Sequence, residues 1–399
     1  MIPSELTKNS IQNKIVDTIS NSKNKIKNAL SNPLVGTLKE NISQYKNIIS
    51  LLVGLFIFIL ISYFISENYR INLVLTDMQI YNSIIVVNNS NFKDDHKLAD
   101  YYIASSFRSV LGKNQRFDYC STRILKKILK EGARFIWLDV FNSDLSFKPK
   151  PIVCNGVGKG NWQLTLNSLT FDECCQTIAE TAFTSGNVNN YDDPLFLALN
   201  LNTQGNLYSL NKIKKSIIKH LGDRLLEVHY GFNRVNMGSV PMSKLKKKVI
   251  IFTSDGFQDS SLEELINYSW DNKNMKKLIY QSIDPNVKIT EYVKENIDSL
   301  KNFNTNNITI VTPDPNTLFT RQYEPSYAWD YGCQFVSMYY QSIDKKIEKN
   351  VKKFKNKSFI LKPPNLRTPS YEKPNLLQEQ KSANISNNET DLIVNQCPL

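Results

Sequence analysis

The sequence predicts an α/β protein whose globular part is built from parallel strand–helix units and follows one transmembrane helix. Three observations support this prediction. Short apolar runs alternate with amphipathic stretches after residue 72. One uncharged apolar segment lies near the amino terminus. A length of 399 residues with 41% hydrophobic residues is sufficient to bury a large core.

The apolar segment runs from Ile48 to Ser66. At about 1.5 Å per residue, a helix of this length spans roughly the 30 Å hydrocarbon layer of a membrane. The alternatives are a buried core helix and a cleaved signal peptide. The segment has no polar stripe, and 47 residues precede it, so both are disfavoured. We therefore expect residues 48–66 to anchor the chain in a lipid membrane, behind a basic amino-terminal segment, residues 1–47.

The charges that flank the apolar segment predict its orientation. Arg70 is the only basic residue within the first twenty or so residues after the segment. The flank of a transmembrane helix that is richer in Lys and Arg usually lies in the cytoplasm. The amino terminus should then be cytoplasmic, and the globular part should lie in a lumen, outside the cell or on a particle surface. Sequons at Asn267 and Asn307 could carry glycans there. The lysines that precede the segment are Lys8, Lys14, Lys23, Lys25, Lys27, Lys39 and Lys46.

Local patterns predict the elements of the globular part. Apolar residues between Cys120 and Glu131 share one helical face, and an apolar strand follows Gly132. Thr170 and Glu173 form a capping box that opens another helix. Residues 368–399, which are polar and rich in proline, are expected to be a flexible tail. The remaining predictions are strands at 133–140, 194–199, 248–253, 307–311 and 333–340, and helices at 210–221, 260–282 and 286–302.

The order of these units and several strings within them resemble the catalytic X and Y halves of eukaryotic phosphoinositide-specific phospholipase C. The resemblance covers about residues 96–367. It is most specific in the second half, in Trp329-Asp-Tyr-Gly-Cys-Gln334 and Phe359-Ile-Leu-Lys-Pro363. It implies that residues 72–367 form a distorted TIM (β/α)8 barrel. Matching strings of the first half lie at 102–109, 134–139, 154–157, 194–201 and 221–226.

The resemblance also implies a catalytic apparatus that this chain lacks. The family cleaves an inositol lipid phosphodiester with two imidazoles, one stabilising the phosphate and one acting as general acid and base. Phe107 occupies the position of the first histidine, and Asn155, or Val157 after a one-residue slip, that of the second. The chain's own histidines, His96, His220 and His229, are more simply interpreted as surface or helix-end residues.

The family's calcium ligands are mostly replaced as well. The family supplies Asn, Glu, Asp and Glu, because Ca²⁺ requires hard oxygen ligands. Arg108, Trp137, Asp139 and Asn200 occupy those positions here. We expect Arg108 to neutralise Asp139 in place of the ion. The family's phosphate-binding lysines correspond to Phe252 and Ser254, and Arg321 is a possible substitute for its arginine.

These replacements predict a membrane-anchored, phospholipase-C-like pseudoenzyme that binds or scaffolds without cofactor or metal. The predicted binding residues are Arg108, Asp139, Asn200 and Arg321, and the predicted partner is an anionic lipid headgroup or a protein. The formal net charge of +12 agrees with an anionic neighbour. A nucleic-acid partner is disfavoured, because Phe354 is the only aromatic residue in the lysine run at 345–357. Surfaces that bind single-stranded nucleic acid usually offer several aromatic side chains on which bases stack. A divergent phosphodiesterase using other residues and a purely structural ectodomain are the alternatives.

Overall fold

The computed structural model describes residues 33–368, except 94, 158–161, 271, 285–290 and 316–320, together with a few positions between 17 and 27. The chain divides into two units, Met1–Tyr69 and Arg70–Leu399. Helix α1, Pro33–Asp77, supplies most of the described part of the first unit. The stretch from Ile48 is long and apolar enough to cross a membrane by length and composition, and its most apolar window is not buried. The membrane anchor at 48–66 and the domain boundaries stay predictions.

The second unit contains a nearly closed barrel of eight parallel strands, in the order β10-β11-β12-β1-β2-β7-β8-β9. Within the described residues no pairing joins β9 to β10, which leaves the barrel open at that point. This architecture confirms the distorted TIM barrel. The strands are β1 Tyr101–Ser106, β2 Phe135–Asn142, β3 Pro151–Val153, β4 Gly156–Val157, β5 Trp162–Gln163, β6 Leu169–Thr170, β7 Leu195–Asn202, β8 Val249–Thr253, β9 Tyr268–Ser269, β10 Met275–Ile279, β11 Ile308–Thr312, β12 Phe335–Met338 and β13 Phe359–Leu361.

Helices α2, α3 and α4 begin and end within three residues of the predicted positions, and α5, predicted at 286–302, continues to Asn306; residues 286–290 of that prediction lie outside the described residues. The Ser121 side chain caps α2, and Thr170 and Glu173 form the predicted capping box of α3. These caps satisfy backbone N–H groups that have no partner within the helix. The helices are α2 Thr122–Lys130, α3 Phe171–Ala182, α4 Leu207–Leu221, α5 Glu291–Asn306, α6 Pro325–Asp330 and α7 Lys345–Lys353.

Two hydrophobic cores lie on opposite sides of the barrel wall. Along β2, Ile136 and Leu138 pack outward beneath the helices, whereas Phe135 and Trp137 point into the barrel, as the two-residue period of a strand requires. Aromatic rings fill the interior at the level of Phe135, whose ring centroid lies 4.7 Å from that of Phe335. The barrel therefore has a packed interior rather than a channel.

The helix predicted at 260–282 is wrong. The structure has a short 3-10 turn, Ser261–Leu265, then strands β9 and β10 and a second turn, Tyr280–Ser282. Leu262 and Ile266 are buried with a spacing that resembles a helical face. The Asn267 side chain instead accepts a hydrogen bond from the Ile251 backbone N–H at 2.8 Å. That bond fixes the chain beside β8 directly before β9.

A buried lysine lies close to the amino-terminal end of the barrel. Lys362 follows β13, is 2% exposed, and donates from Nζ to the Asn304 carbonyl oxygen at 3.0 Å. Burial lowers the pKa of Lys362 to about 7, although the nearby Cys333 and Asp100 oppose that shift. The folded chain therefore favours the neutral amine here.

Replacing Lys362 with Met should weaken the pH dependence of stability between about pH 7 and 9. In this interval the unfolded chain holds a proton on Lys362 that the folded chain has lost, because the pKa falls from 10.5 to about 7 on folding. Through this group, the free energy of unfolding therefore rises by about 1.4 kcal/mol for each pH unit. Denaturant titrations of both proteins across the interval measure the difference. The exposed Lys345, changed to Met, is the control; equal slopes for wild type and Lys362→Met would contradict the assignment.

Candidate functional site

The predicted site residues meet at one end of the barrel, which we call the mouth. Phe107 and Arg108 directly follow β1, Trp137 and Asp139 lie in β2, and Asn200 lies in β7. Asp139 and Asn200 are register partners in the parallel β2–β7 pair. Because the carboxyl ends of parallel strands share one rim, three strands bring these side chains together.

The Asp139 carboxylate is the centre of the mouth. Its Oδ2 accepts a hydrogen bond from Arg108 Nε at 2.7 Å, which forms the ion pair that the sequence predicts. Its Oδ1 accepts from Trp137 Nε1 at 2.8 Å and from Asn200 Nδ2 at 2.9 Å. The Arg108 and Asp139 side chains are only 7% and 3% exposed. Both carboxylate oxygens are therefore engaged within the protein, beneath the surface.

Arg108 reaches Asp139 from an unusual backbone conformation. Its φ is +49°, in the left-handed region that non-glycine residues rarely adopt. Neighbouring strands hold the backbone there: Phe107 N–H donates to the Met338 carbonyl at 2.9 Å, and Ser109 N–H donates to the Trp137 carbonyl at 3.0 Å. Such strained residues persist where the surroundings over-determine them.

Aromatic side chains fill the space around the pair. The Phe107 ring lies 5.2 Å from Trp137 and 5.5 Å from Tyr339 between centroids. Trp137 also stacks on Trp270, with centroids 5.0 Å apart and planes at 16°. Lys277 Nζ lies about equally close to both indole rings, at 5.1 and 5.2 Å. Sequence reasoning missed Trp270 and Lys277, because they lie where a helix was expected. The presence of a tryptophan and a lysine in this short stretch was the signal that could have indicated a cation–aromatic contact.

The other predicted positions have different surroundings. Asn155 is fully buried, and its Nδ2 donates to the Gln115 carbonyl at 2.7 Å. Phe252 belongs to the aromatic interior, and Ser254 Oγ accepts from the Leu201 N–H at 2.7 Å. Arg321 is exposed, and no contact within the described part of the chain joins it to Asp139. The structure thus brings Arg108, Asp139 and Asn200 together and leaves Arg321 apart.

The titratable groups beside Asp139 are poor proton carriers at neutral pH. Burial, with a smaller contribution from the Asp139 charge, raises the pKa of the Cys154 thiol to about 12. Burial likewise raises the pKa of Tyr339 to about 12. Neither the Cys154 thiol nor the Tyr339 phenol is therefore a general base near neutrality. His220, near the end of α4, pairs with Asp172 at 3.1 Å, and His229 pairs with Glu227 at 3.3 Å.

The residues of the mouth do not fit the Ca²⁺ that the family resemblance implies. A calcium ion requires six to eight oxygen ligands, usually with several carboxylates. Here the Asp139 oxygens accept three N–H donors, and a guanidinium lies against one of them. Among the described residues no group of three or more His, Cys, Asp or Glu side chains could hold a metal.

Comparison with known proteins identifies the family. The X domain model of phosphatidylinositol-specific phospholipase C matches residues 95–255, and the Y domain model matches residues 260–365. These matches cover more than half of the chain, which therefore belongs to the family of phosphatidylinositol-specific phospholipase C catalytic domains. Only four residues separate the two matches.

Individual relatives agree with this family. The chain is 24% identical over 356 residues to 1-phosphatidylinositol 4,5-bisphosphate phosphodiesterase delta-3-A from Danio rerio, covering 75% of this chain and 43% of that protein. The crystal structures of PLC21 from L. pealei and S. officinalis superpose with TM-scores of 0.56 and 0.57 at 20% identity. Each superposition covers 70% of this chain and 38% of the other. The chain thus spans about two fifths of the length of these relatives.

Replacing Arg108 with Ala should destabilise the fold, because it leaves the Asp139 carboxylate buried without its cation. Removing one partner of a buried pair costs about 3–5 kcal/mol. Adding Asp139→Asn to the same chain should recover part of the loss by removing the orphaned charge. Thermal and denaturant unfolding of the three proteins measure these changes.

A surface ion pair provides the matched control. Lys113 and Asp77 are 3.1 Å apart with side chains 49% and 42% exposed, so Lys113→Ala should cost no more than about 1 kcal/mol. Calcium should leave the melting temperature of the wild type unchanged, because an ion without a site stabilises nothing. A rise of several degrees in millimolar Ca²⁺ that Arg108→Ala abolishes would show that a metal site remains.

Proposed function

We propose that this chain is a membrane-anchored phospholipase-C-like pseudoenzyme whose mouth binds an anionic headgroup without cleaving it. The observation that carries the proposal is the Asp139 carboxylate, which accepts three N–H donors, one of them from the Arg108 guanidinium. Cleavage of a phosphodiester by the family's route needs a metal-activated hydroxyl and two imidazoles. Phe107 and Asn155, at the histidine positions, cannot transfer a proton.

We do not favour a divergent phosphodiesterase. It would need other acid–base groups near neutrality, and the high pKa values of Cys154 and Tyr339, about 12 for each, argue against both. A purely structural ectodomain is the remaining alternative. The half-buried Lys277 beside the two indoles supports binding over that alternative, because a cation on an aromatic platform suits a phosphorylated ring.

Membrane anchoring through residues 48–66 is the second part of the proposal. The unburied apolar window of that segment supports it, because a core helix of a soluble protein would be mostly covered. Seven lysines before the segment support a cytoplasmic amino terminus and a barrel on the lumenal or external side.

The full chain, purified in detergent micelles, should show no Ca²⁺-dependent hydrolysis of phosphatidylinositol or its bisphosphate, because the catalytic groups are replaced. It should still bind a water-soluble short-chain form of the bisphosphate, and Lys277→Glu should weaken that binding several-fold by reversing the charge beside the two indoles. Release of labelled inositol phosphate and titration calorimetry with the short-chain lipid are the measurements.

The charge-matched control is Lys130→Glu, which makes the same charge change on an exposed side chain at the end of α2, where the chain enters the amino-terminal rim of the barrel. Turnover above a blank without protein, abolished by a chelator, would contradict the pseudoenzyme proposal. Equal loss of binding in both variants would contradict a role for Lys277 and indicate nonspecific charge attraction.

Protease added to sealed microsomes that contain the full chain should remove an amino-terminal tag and leave the barrel intact. Detergent should then expose the barrel to digestion. The physical reason is the basic amino-terminal flank, which favours the cytoplasmic side. Immunoblots for tags at both ends follow the fragments. A protected amino terminus with a digested barrel would reverse the proposed orientation.

A further inference from the structure

The globular unit carries four Asn-X-Ser/Thr sequons at positions the structure describes, which start at Asn88, Asn267, Asn307 and Asn356. An N-linked glycan is attached to the Asn side-chain nitrogen and is bulky and hydrated. A folded glycoprotein therefore needs that nitrogen at the surface and free of structural duties. The structure separates the four sequons by this criterion.

Asn267 fails the criterion. Its side chain is buried, its Oδ1 accepts from the Ile251 N–H at 2.8 Å, and its Nδ2 donates to the Tyr230 carbonyl at 3.2 Å. These bonds hold β9 against β8, so a glycan there would separate the two strands. The expectation that Asn267 carries a glycan is not compatible with this fold.

Asn307 is also poorly placed. It is half-buried, and its Oδ1 accepts from Asn236 Nδ2 at 3.0 Å. Gly238 packs so closely that a Cβ added there would lie 3.2 Å from the Asn307 Cα. A glycan on this side chain would push the loop around Asn236 away from β11.

Asn88 and Asn356 fit the criterion better. Both are exposed, and the Asn88 Nδ2 makes one long, exposed bond, at 3.3 Å to the Val86 carbonyl two residues earlier, which joins no two elements. They lie side by side, because the Asn88 N–H donates to the Asn356 carbonyl at 3.0 Å. The serine of each sequon is buried and anchored: Ser90 Oγ donates to Asp193 at 2.9 Å, and Ser358 Oγ donates to the Gly132 carbonyl at 2.6 Å. The anchored serines fix the backbone while the asparagines remain at the surface.

The two asparagines lie at the barrel end opposite the mouth. Gly132, which accepts the bond from Ser358, precedes β2, whereas Asp139 lies towards the carboxyl end of that strand. Glycans at Asn88 and Asn356 would extend from the amino-terminal rim. They would leave the Arg108–Asp139 region accessible.

We infer that Asn88 and Asn356 are N-glycosylation sites of the folded protein; this rests on the lumenal barrel of the proposed function. The donor is a lipid-linked oligosaccharide diphosphate. The Asn side-chain nitrogen forms a bond to the first sugar carbon and loses one proton, and the bond from that carbon to the diphosphate oxygen breaks. The lipid diphosphate leaves with the electron pair.

The test expresses the full chain in eukaryotic cells, isolates the folded membrane fraction, and removes N-glycans enzymatically in heavy-oxygen water. Each glycosylated Asn becomes a labelled Asp that peptide mass spectrometry locates. Label is expected at Asn88 and Asn356 and absent at Asn267. Asn88→Gln and Asn356→Gln should each remove one glycan, whereas the control Asn307→Gln should remove none.

Absence of label from both asparagines, or label at Asn267 in the folded fraction, would overturn the inference. Protease protection in sealed microsomes distinguishes the causes. A protected but unlabelled barrel refutes the glycan sites and leaves the topology standing, whereas a digested barrel refutes both. Headgroup binding and hydrolysis are measured separately and do not depend on glycans.

Discussion

The arrangement of the mouth depends on the charge of one carboxylate. Asp139 lies on β2 and accepts hydrogen bonds from Arg108 after β1 and Asn200 on β7, so it joins three neighbouring strands. A buried carboxylate is tolerable only when it is paired and its oxygens are satisfied. The unusual φ of Arg108 follows from this requirement, because the guanidinium must reach a carboxylate fixed by the strand register.

Aromatic packing continues the barrel interior up to that pair. Phe135 and Phe335 fill the lower level, and Phe107, Trp137 and Tyr339 fill the level above. Rings of this size bury large areas and restrict one another's rotamers. The mouth therefore resembles an extension of the core, and a polar cavity that could admit water and an ion would have to displace several rings.

Much of this could be predicted from the sequence, because local patterns determined it. The helical face of α2, the capping box of α3 and the alternation along β2 each depend on residues close in the chain. The Arg108–Asp139 pair followed from the resemblance, since both residues occupy positions of one metal site. The helix predicted from 260 to 282 was wrong because β9 and β10 are short, and Asn267, which directly precedes β9, acts through a tertiary hydrogen bond. The stacking of Trp270 on Trp137 is likewise a long-range contact that no local period reveals.

The hydrogen bond from the Trp137 indole to Asp139 affects which substitutions the mouth can accept one at a time. Glutamate at position 137, the residue the family uses there, would remove the Trp137 donor and place a second carboxylate beside a single guanidinium. Asparagine at position 108 would leave Asp139 without its cation. Each of these two substitutions, made alone, therefore lowers the stability of the fold before a ligand set for a metal is complete. Arg108, Trp137 and Asp139 are thus coupled, so that the cost of changing one of them depends on the other two.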